Sequence, residues 1–536
     1  MNANDLGTLD LAELATRLLN HISPSLLETS QRSVFHRTQI RAITNWLTKY
    51  QIPTDASYGD QIRGFVEAFY HCCDSGAIAV AETMVSVCTN PARHTTLVEQ
   101  LGIWGLYTEQ VMVCKRLLEL LSEVDAHYFR LLGRAYYTLG RYDLAQSSYQ
   151  QCLEQSQIES NLSQQMAALS GLAHLQRIQG HYDDALRLHR EKLALAEKLA
   201  DQKAIGAAWG DIGTVYQSAG DYAQAIACHQ RYLESCLAFD DRGGQAVALD
   251  NLGLAHRALG QLQTALEYHH RSVDMAQTRY DKAGSLGNLG LVQLGLSRYG
   301  DAIASFRQHR DISREIGHRQ GEASALGNLG IAHYYLGQHA DAISNLNQQF
   351  VMAQRLGNQR AQGSALGNLG LVYEAQGNFT DAIAAHQGQL ECLEALDDPQ
   401  GVKNALGNLG NVFYRQGNLS QAAEYHQRCL VLSQQLGDAK GIAACWGNLG
   451  HVLFSSRSYA QALFCYEQSL DGLRQVCDRF GEGRALSHLG IVLMRLGRSQ
   501  EAKVYLQDAL LISQELPDPL TIGNVLKLLA TLSDKA

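Results

Sequence analysis

Ala365-Leu366-Gly367-Asn368-Leu369-Gly370 decides how this chain folds, because it returns in phase. The same six residues stand at Ala325 to Gly330 and at Ala405 to Gly410. With the second glycine as anchor, the register runs Gly133, Gly213, Gly253, Gly290, Gly330, Gly370, Gly410, Gly450 and Gly490, and Ala173 fills the one gap. Each step is 40 residues, except the 37 from Gly253 to Gly290. Ten units therefore cover about 130–515. A fixed period of this size marks an architecture in which each unit buries its apolar face on its neighbours.

Within a unit the apolar spacing is helical. Leu366, Leu369, Gly370 and Tyr373 form one stripe, and Gly377 follows as a helix stop. Phe379, Ala382, Ile383 and His386 form a second stripe. Intervals of three and four residues belong to helices rather than strands, and a glycine past the last turn supplies the left-handed cap. The expected unit is a pair of helices, A and B.

The composition agrees. Of 536 residues, 44 are Lys or Arg and 53 are Asp or Glu, a net charge of −9, so a nucleic-acid partner is not expected. The basic residues near Arg32, His36, Arg37 and Arg41 are too few to alter that. With 48 glycines and only 6 prolines, the chain is neither collagen-like nor proline-rich and disordered. No apolar run reaches the length of a membrane span. Met1 to Leu14 lacks the basic and apolar regions of a secretory signal, so a cytoplasmic location is expected. Twelve scattered cysteines include no C-x-x-C pair and read as small core residues. Phosphate-loop, zinc-protease, nucleophile-elbow and dinucleotide motifs are missing. Neither catalysis, nor a cofactor, nor a metal site is expected.

The unit resembles the tetratricopeptide repeat. Trp209, Ile212, Gly213, Tyr216 and Ala225 match its W-x2-L-G-x2-Y…A-x3-F signature, with His229 in the aromatic place. Trp446, Leu449, Gly450, Ala462 and Tyr466 match it too. Two departures stand out: a 40-residue unit in place of 34, and no proline closing helix B. The L-G-N and A-x-x-x-H pattern is similar to Pins/LGN adaptors and to bacterial multi-repeat proteins, and kinesin light chain shares the asparagine. The resemblance implies an all-α fold: a right-handed α-solenoid of about ten to twelve helix hairpins with a helical N-terminal cap.

The sequence suggests four segments, one of them the ten units. Residues 1–57 read as an N-terminal helical cap or small module, with amphipathic helices at 9–21 and 25–50 split by Ser23-Pro24. Residues 58–127 read as degenerate helix pairs, the second marked by Trp104, Gly105 and Tyr107. The repeats proper span 128–515, and 516–536 hold a C-terminal capping helix around Leu520 to Leu532. The 37-residue step is expected to alter the solenoid's path locally.

At about 100° per residue, Asn368 points roughly 150° from the centre of the apolar stripe of helix A. In the family this second face lines the concave groove. The asparagine column is Asn251, Asn288, Asn328, Asn368, Asn408 and Asn448, flanked by Asp211 and His488. Amides that donate and accept suit either the backbone of an extended peptide or the spacing of neighbouring helices. One residue earlier stand Gly210, Gly287, Gly327, Gly367, Gly407 and Gly447, which suggests close helix packing. Groove-side residues that vary between units include Arg257, Tyr334, Tyr335, Glu374, Asn411, Arg415, His451, Arg484 and Arg495. The arginines suggest an acidic peptide at the C-terminal half, and the tyrosines an aromatic anchor. His189, His229, His269, His386 and His426 share one repeat position and read as packing residues rather than metal ligands. The functional expectation is a non-catalytic protein-interaction scaffold or adaptor that holds a partner peptide or helix. A peptide-sensing regulatory receptor and a chaperone-like assembly factor fit the same resemblance. Oligomeric state is not readable.

Overall fold

The structure, a computed structural model, describes residues 34–49, 58–86, 88–90, 95–103, 106–121, 125–516 and 519–533. The expected helix over 9–21, the Ser23-Pro24 break, Trp104 and Gly105 lie outside these residues. From Ala126 to Glu515 the chain is a train of helix pairs. The unit quoted first folds as helices Gln359–Ala375 and Phe379–Glu394. Asn358 caps helix A by accepting the Ala361 N–H, and Gly377 turns the chain at φ +75°. Asp201, Asp241, Asp398, Asp438 and Asp478 cap their A helices in the same way. Each such cap contributes about 1 kcal/mol.

The anchor glycine is dictated by sterics. Helix B sends one side chain back across helix A at that point. A Cβ on Gly370 would stand 2.5 Å from the His386 ring, and one on Gly410 would stand 2.5 Å from His426. Gly213 meets His229 at 2.7 Å, Gly253 meets His269 at 2.6 Å, and Gly450 meets Tyr466 at 2.7 Å. The histidine column is thus a set of buried packing rings, as expected. Burial lowers the pKa of His229 and His426 to about 4, so both are neutral at neutral pH. Among the described residues no group of three or more His, Cys, Asp or Glu is arranged to hold a metal.

The 37-residue step has a local origin. Helix Leu262–Met275 has 14 residues, where its counterpart Tyr222–Ala238 has 17. The missing residues come from the end of helix B.

Contacts divide the chain into two compact units, residues 1–296 with 315–317, and 297–314 with 318–536. In the first, helices Val34–Thr48, Tyr58–Asp74, Ile78–Ser86, Leu97–Ile103 and Tyr107–Leu120 precede the regular pairs. A two-stranded antiparallel ribbon, Cys88–Asn90 with Thr95–Thr96, interrupts them. The periodicity did not announce it; Cys-Thr-Asn-Pro after Val87 is poor in helix formers. Phe69, Met84, Leu101 and Leu117 are buried in one continuous core that runs on into the repeats.

In the second unit, helix Pro519–Ser533 lays Val525 and Leu532 on Leu489, Leu506 and Ile512, covering the apolar face of the last pair. Two carboxylates inside this unit are each held by two arginines: Glu322 by Arg314 and Arg319, and Glu482 by Arg474 and Arg479. Lys403 pairs with Asp438 in a similar setting. Of the eleven cysteines placed, nine are buried, as expected of core residues; Cys392 is half-buried and Cys477 exposed. No helix among the described residues is long and apolar enough to cross a membrane.

Candidate functional site

Helix A packs on its own partner and, at several steps, also touches helix A of the next pair, as Arg319–Tyr335 touches Gln359–Ala375. The faces of successive A helices therefore lie side by side along one side of the pairs. In the second unit these faces line a groove of about 480 Å³. Asn328, Asn368 and Asn408 line it together, with Gly327, Gly367 and Gln349.

The glycines admit helix B side chains to the groove floor. A Cβ on Gly327 would stand 2.7 Å from the Gln349 amide, and one on Gly367 would stand 2.5 Å from that of Gln389. Close helix packing thus accounts for both positions. The constraint relaxes at Gly407, where the nearest atom is Cys429 Sγ at 3.8 Å. Gln349 is buried, and its Oε1 has no hydrogen-bond partner. The side chains of Asn328, Asn368 and Asn408 are half-buried and make no hydrogen bond among the described residues. A row of amides keeping both donor and acceptor open, beside a buried unpaired carbonyl, is able to pair with a peptide backbone.

The other members of the column diverge. Asn288 donates to Asp250 Oδ2 at 2.7 Å, while Asp250 Oδ1 lies 2.8 Å from His269 Nδ1. Asp250 occupies the place where other units carry the groove glycine, so at Asn288 the spacing role prevails. Asn251 and Asn448 are half-buried and unpaired, and neither lines the 480 Å³ groove.

The variable residues are scattered. Tyr335 is 56% exposed and stacks on Tyr299 with centroids 5.6 Å apart. Tyr334 is half-buried and packs edge-on to Tyr335. Asn411 is exposed. Arg415 donates to Glu374 at 2.8 Å, so its charge is already matched. His451 Nδ1 lies 2.8 Å from the Tyr466 hydroxyl, and its ring meets His488 edge-on with centroids 4.6 Å apart. Burial, with Arg484 nearby, lowers the His451 pKa, and the same causes together with His451 lower that of His488 to about 3. Neither ring adds charge at neutral pH. Arg484 and His488 line a separate groove of about 410 Å³ with Asn524 and Lys527 from the terminal helix. Arg495 is exposed and apart from it.

Sequence reasoning missed the helix B contributors Gln349 and Gln389. Their signal is their position, 19 residues after each anchor glycine, where Tyr232, Cys429 and Ser469 also stand.

Tetratricopeptide-repeat family models match residues 116–198, 204–278, 281–349, 361–435 and 401–475, with further matches at 328–388 and 483–516. The chain belongs to the tetratricopeptide-repeat family. The finer likeness to Pins/LGN adaptors rests on the repeat motif alone. No curated protein sequence matches the chain. Among solved structures, the apo form of the quorum sensor NprR from B. thuringiensis is 13% identical, with 70% of this chain and 99% of that one covered at a TM-score of 0.46. Aspartyl phosphate phosphatase F from Bacillus subtilis is 16% identical, covering 64% and 92% at 0.43. BtubC from P. vanneervenii is 16% identical, covering 41% and 91% at 0.37.

Proposed function

We propose that the chain is a non-catalytic interaction scaffold that holds an extended segment of a partner protein in the groove of Asn328, Asn368 and Asn408. The observation that carries this reading is the unpaired state of those three amides, against the engaged state of Asn288. Half-buried amides with donor and acceptor open can exchange water for the hydrogen bonds of a bound segment, each worth about 1 kcal/mol net. A segment whose backbone N–H and C=O groups meet the row gains affinity without dependence on its side chains. The 410 Å³ groove, with Arg484 and Lys527, is the place where an acidic part of that partner is recognised. On this reading 1–57 are a cap or small module, 58–127 degenerate pairs, 128–515 the binding repeats and 516–536 the closing helix.

The test uses a peptide selected from a random display library and measured by calorimetry. Asn328→Ala, Asn368→Ala and Asn408→Ala together remove about 3 kcal/mol of hydrogen bonding, close to a hundredfold in Kd. Far-UV helicity is expected to persist. Unchanged affinity in the triple variant overturns the groove.

A further inference from the structure

The first unit carries a second groove, of about 510 Å³, built from different chemistry. Arg130, Arg134 and Tyr137 project from one face of helix Ala126–Thr138, at intervals of four and three residues. His174 and Arg177 come from the next A helix, and Asp211 from the one after.

These arginines are poorly matched. Arg177 donates to Ser218 Oγ at 3.1 Å and lies 3.4 Å from His174 Nε2, neither of them anionic. The guanidinium of Arg134 has no hydrogen-bond or ion-pair partner among the described residues. Arg130 reaches Glu99 at 3.5 Å. The carboxylate of Asp211 is held by Lys192 Nζ at 2.7 Å. Four cations against two carboxylates leave an excess of two positive charges, in a chain whose net charge is −9. Arg474 and Arg479, which are also half-exposed, both pair with the carboxylate of Glu482.

The groove also holds an unmet polar group. His189 is 5% exposed, and its Nδ1 has no hydrogen-bond partner; Asp211 Oδ2 stands 3.7 Å away. Burial holds its pKa at about 4, so at neutral pH it adds a polar edge and no charge.

From this excess of two charges and the unpaired imidazole, we propose that the groove is a site for a phosphomonoester carried on a side chain of a partner peptide. A phosphomonoester bears about −1.5 to −2 at neutral pH and three acceptor oxygens. It matches the excess as a single carboxylate does not, and guanidinium groups bind phosphate through paired N–H donors. The groove is larger than a phosphoryl group, which leaves room for the residue carrying it.

The site is independent of the asparagine groove, and failure of either reading leaves the other standing. Calorimetry at about 150 mM NaCl, where surface attraction is largely screened, tests it on the full chain with three probes. These are a phosphoserine pentapeptide, its glutamate counterpart and inorganic phosphate. The phosphopeptide is expected to bind one-to-one, at least tenfold tighter than either other probe. Arg134→Gln with Arg177→Gln is expected to weaken it at least tenfold at unchanged thermal midpoint. Ser170→Asp, which places a carboxylate in the groove wall, is expected to do the same. Equal binding of the glutamate peptide, equal binding of free phosphate, absence of saturable binding, or insensitivity to both variants would each overturn the proposal.

Discussion

The two grooves occupy the same faces of the same kind of helix, yet one is neutral and the other cationic. On the A helices of the asparagine groove, the place three residues before the anchor is Gly327, Gly367 and Gly407, and the next place is asparagine. On the first two A helices of the arginine groove the corresponding residues are Arg130 then Leu131, and Ser170 then Gly171. One residue past the anchor, Ile331 and Leu371 give way to Arg134 and His174. The anchor itself does not follow this division: Gly133 lies under Tyr149 as Gly370 lies under His386. Packing positions are therefore held constant while the neighbouring groove positions are free to set ligand chemistry.

If the scaffold is common to both regions, acid should damage both alike, and this is the largest expected effect. His229 in the first unit and His426 in the second have pKa values lowered to about 4 by burial, against about 6.5 for an unfolded chain. Between these values the unfolded state binds more protons. Stability is therefore full above about pH 6.5 and falls as pH drops toward 4, by several kcal/mol in total, on the order expected from such shifts. Urea titrations across that range check it, and His229→Phe with His426→Phe should flatten the acid limb.

Next in size is the anchor contact. Gly370→Ala and Gly213→Ala should each cost about 2 kcal/mol through overpacking against a buried ring. Chemical denaturation of the two variants measures whether the regions respond equally. A markedly smaller loss in one would break the common-scaffold account.

Salt separates the grooves. Between about 50 and 300 mM NaCl, phosphopeptide binding in the arginine groove should weaken several-fold, while peptide binding at the asparagines should change less than twofold. The smallest effect concerns a turn. Arg457 holds φ +63° at the place Gly377 fills in its unit. Arg457→Gly should raise stability by about 0.5–1 kcal/mol, read as a higher thermal midpoint, with neither groove changed.

The fold was legible because its signal is local and repeated: stripe, cap and anchor recur at the same phase. Even the histidine column could be read as packing, since it stands where the signature places an aromatic. The grooves were less legible. Whether an asparagine is free depends on a residue one repeat away, and nothing near Asn288 reveals that Asp250 will take its amide. Arg415 looks like a free cation in sequence, yet Glu374, 41 residues earlier, neutralises it. Arg134 and Arg177 were overlooked for another reason. The asparagine column fades in the first units, and with it the cue to read the groove face there, although the anchors Gly133 and Ala173 carry the same phase.

Selective observation of asparagine side-chain amides by NMR, with and without a library-selected peptide, tests the central claim most directly. Binding should shift the Asn328, Asn368 and Asn408 amide signals and slow their hydrogen exchange, while Asn288, already bound to Asp250, stays in place. A saturating peptide that leaves those three signals unmoved would contradict the account.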